Sequence, residues 1–107
     1  VPGSPHVYKG VVNLRGQIVT VMDLRPFFEM KVDDEKPPAE LVVVKYGWLE
    51  IALLAHHVFG VRQVPVTDIS STGEIRYTRG VTSDRLVLLD AAAMFEDPRL
   101  VAGGPEE

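Results

Sequence analysis

The sequence predicts an all-β fold, a small barrel or a pair of barrels with short helices, and three observations carry that prediction. Short β-type runs recur at close spacing, turn signals built on glycine, serine and aspartate separate them, and little of the chain reads as helix. That combination favours barrels over a sandwich.

Taken in order, Val1 to Pro5 is rich in proline and glycine and is expected to be extended. His6 to Leu14 reads as a strand broken at Gly10, where a bulge or a close backbone approach fits. The step Asn13-Leu14-Arg15-Gly16 closes it in a polar turn, and Gln17 to Asp23 returns as the second strand. Val11, Val12, Ile18, Val19, Thr20 and Val21 give both arms the β-branched character of a hairpin. Leu24-Arg25-Pro26-Phe27-Phe28 then sets a proline at the first position of a short helical turn, with two aromatic rings behind it to cap a core.

Lys31 to Glu40, KVDDEKPPAE, is charged, carries prolines and has little to bury, so it reads as a linker. Leu41 to Tyr46 is a strand and Gly47 a turn. Trp48 to Leu54 is a further strand, with Leu49, Ile51 and Leu53 on one face and Glu50, Ala52 and Leu54 on the other. Val58 to Val66 reads as short β-type pieces punctuated by Gly60 and Pro65. Ser70 to Gly73 is a loop, Glu74 to Thr78 a short strand, Ser83-Asp84 a turn and Arg85 to Asp90 the last strand. Ala91 to Phe95 has the alanine content of a short helix, stopped before Pro98, and the final residues are expected to be loose. Ile18 to Phe28 and Leu86 to Phe95 echo each other: a strand, an aspartate, then a short helix carrying an aromatic residue.

At 107 residues, with 46% hydrophobic and 24% charged residues, the chain fits one folded domain and lies far from the composition of a disordered segment. No apolar run approaches the roughly 20 residues of a membrane-spanning helix, and the N-terminus lacks the basic and apolar regions of a signal peptide, so a cytosolic protein with no membrane insertion is expected. The absence of cysteine removes disulfides, thiolate nucleophiles and cysteine-ligated metals. A net charge of −4 gives no general attraction to a phosphate backbone, so nucleic acid is not an expected partner.

The residue types capable of chemistry have simpler readings. His56 and His57 are adjacent in a strand-like segment, so their rings diverge, and no further ligand stands at metal-site spacing; both are expected in solvent at a strand end. Asp23 and Asp90 each precede a short helix and are expected to cap it, while Asp84 belongs to a turn. Asp33-Asp34-Glu35 lacks the ligand spacing of a calcium loop, Ser70, Ser71 and Ser83 lack a nucleophile elbow, and no Gly-rich phosphate cradle is present, so no cofactor is expected. Trp48 fits either an exposed interface anchor or core packing. Arg15 is different in kind: a guanidinium held at a turn between two stiff strands offers five fixed donors to a carbonyl or carboxylate on a partner. Docking is the chemistry it fits, and no enzyme activity is expected.

From Gly10 to Arg25 the chain, GVVNLRGQIVTVMDLR, resembles the CheW-like domain, the adaptor module of bacterial chemotaxis arrays that also forms the regulatory domain of the CheA histidine kinase. The likeness extends to the leading VPGSP, the aromatic pair Phe27-Phe28, the acidic linker, LVVVKYG, IALLAHHV and the late TSDRLVLLDAAAMF. It implies two small SH3-like β-barrels side by side with short helices, in a single domain over residues 1–107. Subdomain 1 would take about 1–30 plus the C-terminal segment, and subdomain 2 about 40–90. It implies a non-catalytic adaptor whose partners are a methyl-accepting chemoreceptor tip and the regulatory domain of a CheA-type histidine kinase. The partner-binding groove would be lined by Gly10, Asn13 and Arg15 on one side and by Leu41 and Val42 on the other. Three departures stand out. The hairpin and helix that precede Val-Pro-Gly in the family are missing, so the first barrel is expected to be incomplete, either open or completed by strand exchange in a homodimer. Ala52 and His56 stand where the family often has Gly and Asp, and Pro38-Ala39-Glu40 replaces the usual polar opening of the second barrel. A truncated scaffold that mainly self-associates through its open barrel is the alternative reading.

Overall fold

The computed structural model describes residues 7–32, 35–73 and 75–101; the expectations for Val1 to Pro5, for Asp33 and Asp34 and for the last residues lie outside that range. Two hairpins build the main sheet. Strand β1 (Tyr8–Leu14) pairs antiparallel with β2 (Gln17–Met22), and β3 (Glu40–Tyr46) with β4 (Leu49–Ala55). The hairpins join by a parallel seam in which Thr20, Val21 and Met22 lie opposite Ile51, Ala52 and Leu53, giving the order β1-β2-β4-β3. A second ribbon pairs β5 (Thr78–Val81) with β6 (Val87–Leu89). Neither sheet closes into a barrel among the described residues, and β1 and β3 remain the edges of the larger one.

Three short helices complete the fold: α1 (Leu24–Phe27), α2 (Ala91–Phe95) and α3 (Pro98–Val101). The core forms where they close over the sheet. Val7, Met22, Phe27, Ile51, Met94, Phe95 and Leu100 are buried together, and Leu24, Phe28, Val44, Leu49, Leu53 and Tyr77 pack around them. Leu49, Ile51 and Leu53 all reach this core, as their alternation predicted. Ala52, on the opposite face, is fully buried as well, so this central strand is covered on both sides.

One unit occurs twice. In each copy the first strand bulges immediately before a glycine in a left-handed conformation, Gly10 at φ 144° and Gly80 at φ 152°. An arginine with positive φ stands in the turn, Arg15 at 53° and Arg85 at 70°. The second strand ends on an aspartate. Its backbone N–H donates to the residue just before the first strand, Asp23 to Val7 at 2.8 Å and Asp90 to Tyr77 at 2.7 Å. Its carboxylate then caps the helix, accepting from the Arg25 N–H at 3.0 Å or the Ala93 N–H at 3.2 Å. Each helix ends on a buried phenylalanine, Phe27 or Phe95. The echo read from the sequence between Ile18–Phe28 and Leu86–Phe95 is therefore a shared architecture that begins one strand earlier in each copy.

Four local expectations are corrected. Val58 to Val66 forms no strand; it runs irregularly into a single 3-10 turn at Val66–Asp68, because no strand among the described residues pairs with its backbone. The strand expected over Glu74 to Thr78 begins only at Thr78, since Tyr77 takes a left-handed backbone (φ 65°) that interrupts extension. Pro26 occupies the third position of α1, and Leu24 the first, because Asp23 sets the cap two residues earlier. Pro98 does not merely end α2. It opens α3, where its missing N–H costs nothing.

Candidate docking surface

The β1–β2 turn is a two-residue loop in which Leu14 pairs with Gln17 and both central residues, Arg15 (φ 53°) and Gly16 (φ 84°), are left-handed. This is the geometry whose twist matches that of the flanking strands. Gly16 adopts it freely, and Asn13 fixes it by accepting the Gly16 N–H on Oδ1 at 3.0 Å. Arg15 is thus held out from the end of a hairpin, exposed, with no ion-pair or hydrogen-bond partner for its guanidinium among the described residues.

Beside it lies a concavity of about 320 Å³ lined by Leu14, Arg15, Gln17, Val43, Lys45 and Glu50. The register explains this company. Parallel pairing of β2 with β4 brings the start of β4 alongside the start of β2, and Glu50 there is opposite Lys45 of β3. Its lining combines two aliphatic side chains, Leu14 and Val43, with two cations, Arg15 and Lys45, and one carboxylate, Glu50.

Asn13 and Arg15 therefore belong to one corner. Gly10 sits at the other end of β1, at the bulge, level across the sheet with Val21, Ala52 and Val43. Leu41 and Val42 open β3 on the far edge of the sheet, opposite Leu54 and Leu53, and point to alternate faces. It is the other half of β3, through Val43 and Lys45, that meets Arg15. Sequence reading missed Val43, Lys45 and Glu50. The Lys45–Glu50 pairing was legible in a hairpin closed by Gly47-Trp48, but the parallel seam that swings it towards Arg15 leaves no local signal.

The other candidates fall into structural roles. Asp23 is buried and grips Arg25 through two oxygens, at 2.8 Å from Nη2 and 3.1 Å from Nε, and the hydrogen bond from Arg25 holds its carboxyl below the ordinary range despite burial. Asp84 receives a two-pronged contact from Arg62, at 2.8 and 3.0 Å, and a further hydrogen bond from Thr82; these push its pKa well down and raise that of Arg62. His56 and His57 are exposed just beyond β4. The first contacts the Lys36 carbonyl at 2.8 Å and the second lies against Phe59, so the rings part as expected. No group of three metal-ligating side chains is assembled among the described residues. Trp48 stands 87% exposed in the β3–β4 loop, which decides its reading for the surface over the core. No helix among the described residues is long and apolar enough to cross a membrane.

Comparison with known proteins agrees with this architecture. The family model described as the CheW-like domain matches residues 1–99. The chain is 31% identical over 72 residues to the chemotaxis protein CheW of Thermotoga maritima, a match covering 67% of this chain and 47% of that protein. It is 29% identical over 105 residues to the probable chemotaxis protein CheW of Rhizobium etli, covering 90% of this chain and 68% of that one. Among solved structures it resembles the scaffolding protein TtCheW of Thermoanaerobacter tengcongensis, with a TM-score of 0.65 and 21% identity over 83% of this chain and 66% of that one. The chain thus spans about half the length of the Thermotoga relative. The fold it shares with the TtCheW structure is mostly strand with a few short helices.

Proposed function

The chain belongs to the CheW-like domain family, and from that premise we propose that it is a non-catalytic, cytoplasmic adaptor coupling a methyl-accepting chemoreceptor tip to the regulatory domain of a CheA-type histidine kinase. The observation that supports this best is the Arg15 corner: a cation carried on a turn of fixed backbone, with no partner of its own among the described residues, beside a concavity lined in part by Leu14 and Val43. A guanidinium whose donors are unspent among the described residues forms two-pronged contacts with a carboxylate. In this reading Asn13 sets the turn that carries Arg15, and the receptor-facing surface continues along the Val43–Lys45 face of β3 towards Leu41, with Gly10 and Val42 outside its centre. The chain is read as one domain, since the two hairpins, the β5 approach and the terminal helices of the described residues all contribute to one core.

Arg15→Asn tests the assignment. Asparagine tolerates a left-handed backbone and makes with Gly16 the favoured pair for this turn, so the fold is spared while the cation is lost. Quantitative pull-down with a chemoreceptor tip fragment should fall about tenfold, the worth of one charge-assisted contact. Equal capture by parent and variant would remove Arg15 from the interface.

A second reading, homodimerisation by strand exchange, is favoured by the two free edges β1 and β3. Light scattering over a dilution series distinguishes it: a dimer that persists on dilution and excludes the kinase domain supports exchange, and a monomer at every concentration refutes it.

A further inference from the structure

A second concavity, of about 260 Å³, lies where the end of α1 meets the approach to β5, and it shares no lining residue with the Arg15 corner. Phe27, Phe28, Glu29, Ile75, Arg76 and Tyr77 line it. The aromatic side chains are the covered part of that lining, Phe27 buried and Phe28 and Tyr77 half-buried, and their rings meet at centroid distances of 5.1, 5.2 and 6.4 Å. Glu29, Ile75 and Arg76 are exposed. Two contacts with one ring place the Arg76 guanidinium: its carbon stands 4.8 Å from the Tyr77 centroid, and Nη2 donates to the Tyr77 hydroxyl at 2.7 Å.

Charge and backbone set this cavity apart. Glu29 and Arg76 carry opposite charges, yet they do not pair with each other, and neither has an ion-pair partner among the described residues. The lining also holds two residues on backbone that side-chain-bearing residues rarely adopt, Glu29 at φ 59° and Tyr77 at φ 65°. Glu29 stands directly after Phe28, the C-cap of α1, where a helix commonly ends on glycine, and carries a carboxylate there instead. One turn thus supplies an anion and the other a cation, beside a shared aromatic surface.

We propose that this cavity binds a free α-amino acid with an apolar side chain. The ligand's carboxylate meets the Arg76 guanidinium, its ammonium meets the Glu29 carboxylate, and its side chain lies against the three rings. The volume sets the size class, since it falls just below the ~300–1,000 Å³ of sites for drug-sized molecules. The paired charges select a zwitterion. A simple carboxylate would satisfy Arg76 but confront Glu29 with a like charge, and a simple amine would satisfy Glu29 but confront Arg76. The assignment goes beyond the adaptor reading and does not depend on it.

The experiment titrates three probes into the isotope-labelled full chain and follows backbone amide shifts by NMR: L-phenylalanine, phenethylamine, which lacks the carboxylate, and phenylpropionate, which lacks the ammonium. L-phenylalanine should give saturable shifts at Phe28, Glu29, Arg76 and Tyr77 with a dissociation constant of about 1 mM or tighter, and each analogue should bind about tenfold more weakly or worse. Two variants then cross the pattern. Arg76→Gln should weaken L-phenylalanine about tenfold while phenethylamine binds no worse than to the parent, and Glu29→Gln should weaken L-phenylalanine alike while phenylpropionate binds no worse. The absence of saturable shifts up to about 10 mM L-phenylalanine refutes the site. Analogues that bind as tightly as L-phenylalanine reveal a merely apolar cavity and refute the zwitterion assignment, and so do folded variants that keep the parent's affinity. A thermal melt of each variant reports on folding; where one melts early, the parent's ranking of the three probes decides alone.

Discussion

Replacing Asp23 with alanine should unfold the domain more readily than any surface substitution of similar size. The residue closes β2, starts α1 and neutralises Arg25, all from a position that is 1% exposed. Losing an N-cap carboxylate costs ~1 kcal/mol. Removing one member of a buried ion pair costs ~3–5 kcal/mol, but the Arg25 side chain is 17% exposed and recovers part of its hydration, which brings that share down to ~1–2 kcal/mol. The sum, ~2–3 kcal/mol, is a large part of the ~5–15 kcal/mol that stabilises a typical domain and corresponds to a fall in melting temperature of ~10 °C. Urea unfolding followed by far-UV circular dichroism measures it. Asp23→Asn should lose less, since asparagine also caps a helix and gives up only the charge of the contact with Arg25. In the double variant Asp23→Ala/Arg25→Ala the loss should be smaller than the sum of the two single losses, because each single change already removes the one ion pair the two residues share. A change below ~0.5 kcal/mol in Asp23→Ala, or strict additivity in the double variant, would refute the account of this corner.

Two further outcomes follow from the same geometry. Because Arg25 depresses the Asp23 pKa in the folded state, the stability it confers is complete above the ordinary carboxylate value near 4 and drains away as pH falls through the lower, folded value; the difference in urea midpoint between parent and Asp23→Asn should therefore shrink progressively below pH 4, and a constant difference would contradict the linkage. Gly80→Ala should cost ~3 kcal/mol or more, since its new methyl would lie 2.5 Å from both the Ser70 carbonyl oxygen and Ile69 Cγ2, while Gly10→Ala meets open space and carries only the backbone penalty of ~1–2 kcal/mol; the reverse order in chemical denaturation would count against both bulges.

What the sequence made legible was local. The bulge at Gly10, the turn pinned by Asn13, the caps at Asp23 and Asp90 and the span of α2 all follow from residues within a few positions of one another, and the structure has each of them. Val58 to Val66 shows where such reasoning stops. Its valines suit a strand, but a strand is a pairing, and Phe59 and Val61 lie bare with no neighbouring strand beside them. The candidate site divides along the same line. Arg15 as an outward-facing donor was readable from its turn, whereas Val43, Lys45 and Glu50 reach it only through a parallel register between strands about thirty positions apart. The twofold repetition lay half in view, because the echo of strand, aspartate and helix was visible but the matching arginines depend on φ angles that only coordinates reveal.

The parallel seam between β2 and β4 also dictates an order of assembly. Each hairpin can zip from its own tight turn within microseconds, but Thr20 to Met22 can meet Ile51 to Leu53 only after the charged stretch between them has looped around, an entropic toll collected before any packing returns it. The seam and the core above it should accordingly form late and open early. Cleaving the backbone within residues 35–39 would then leave two ribbons able to find each other again only by diffusion, with a refolding rate that rises with concentration where the intact chain's does not.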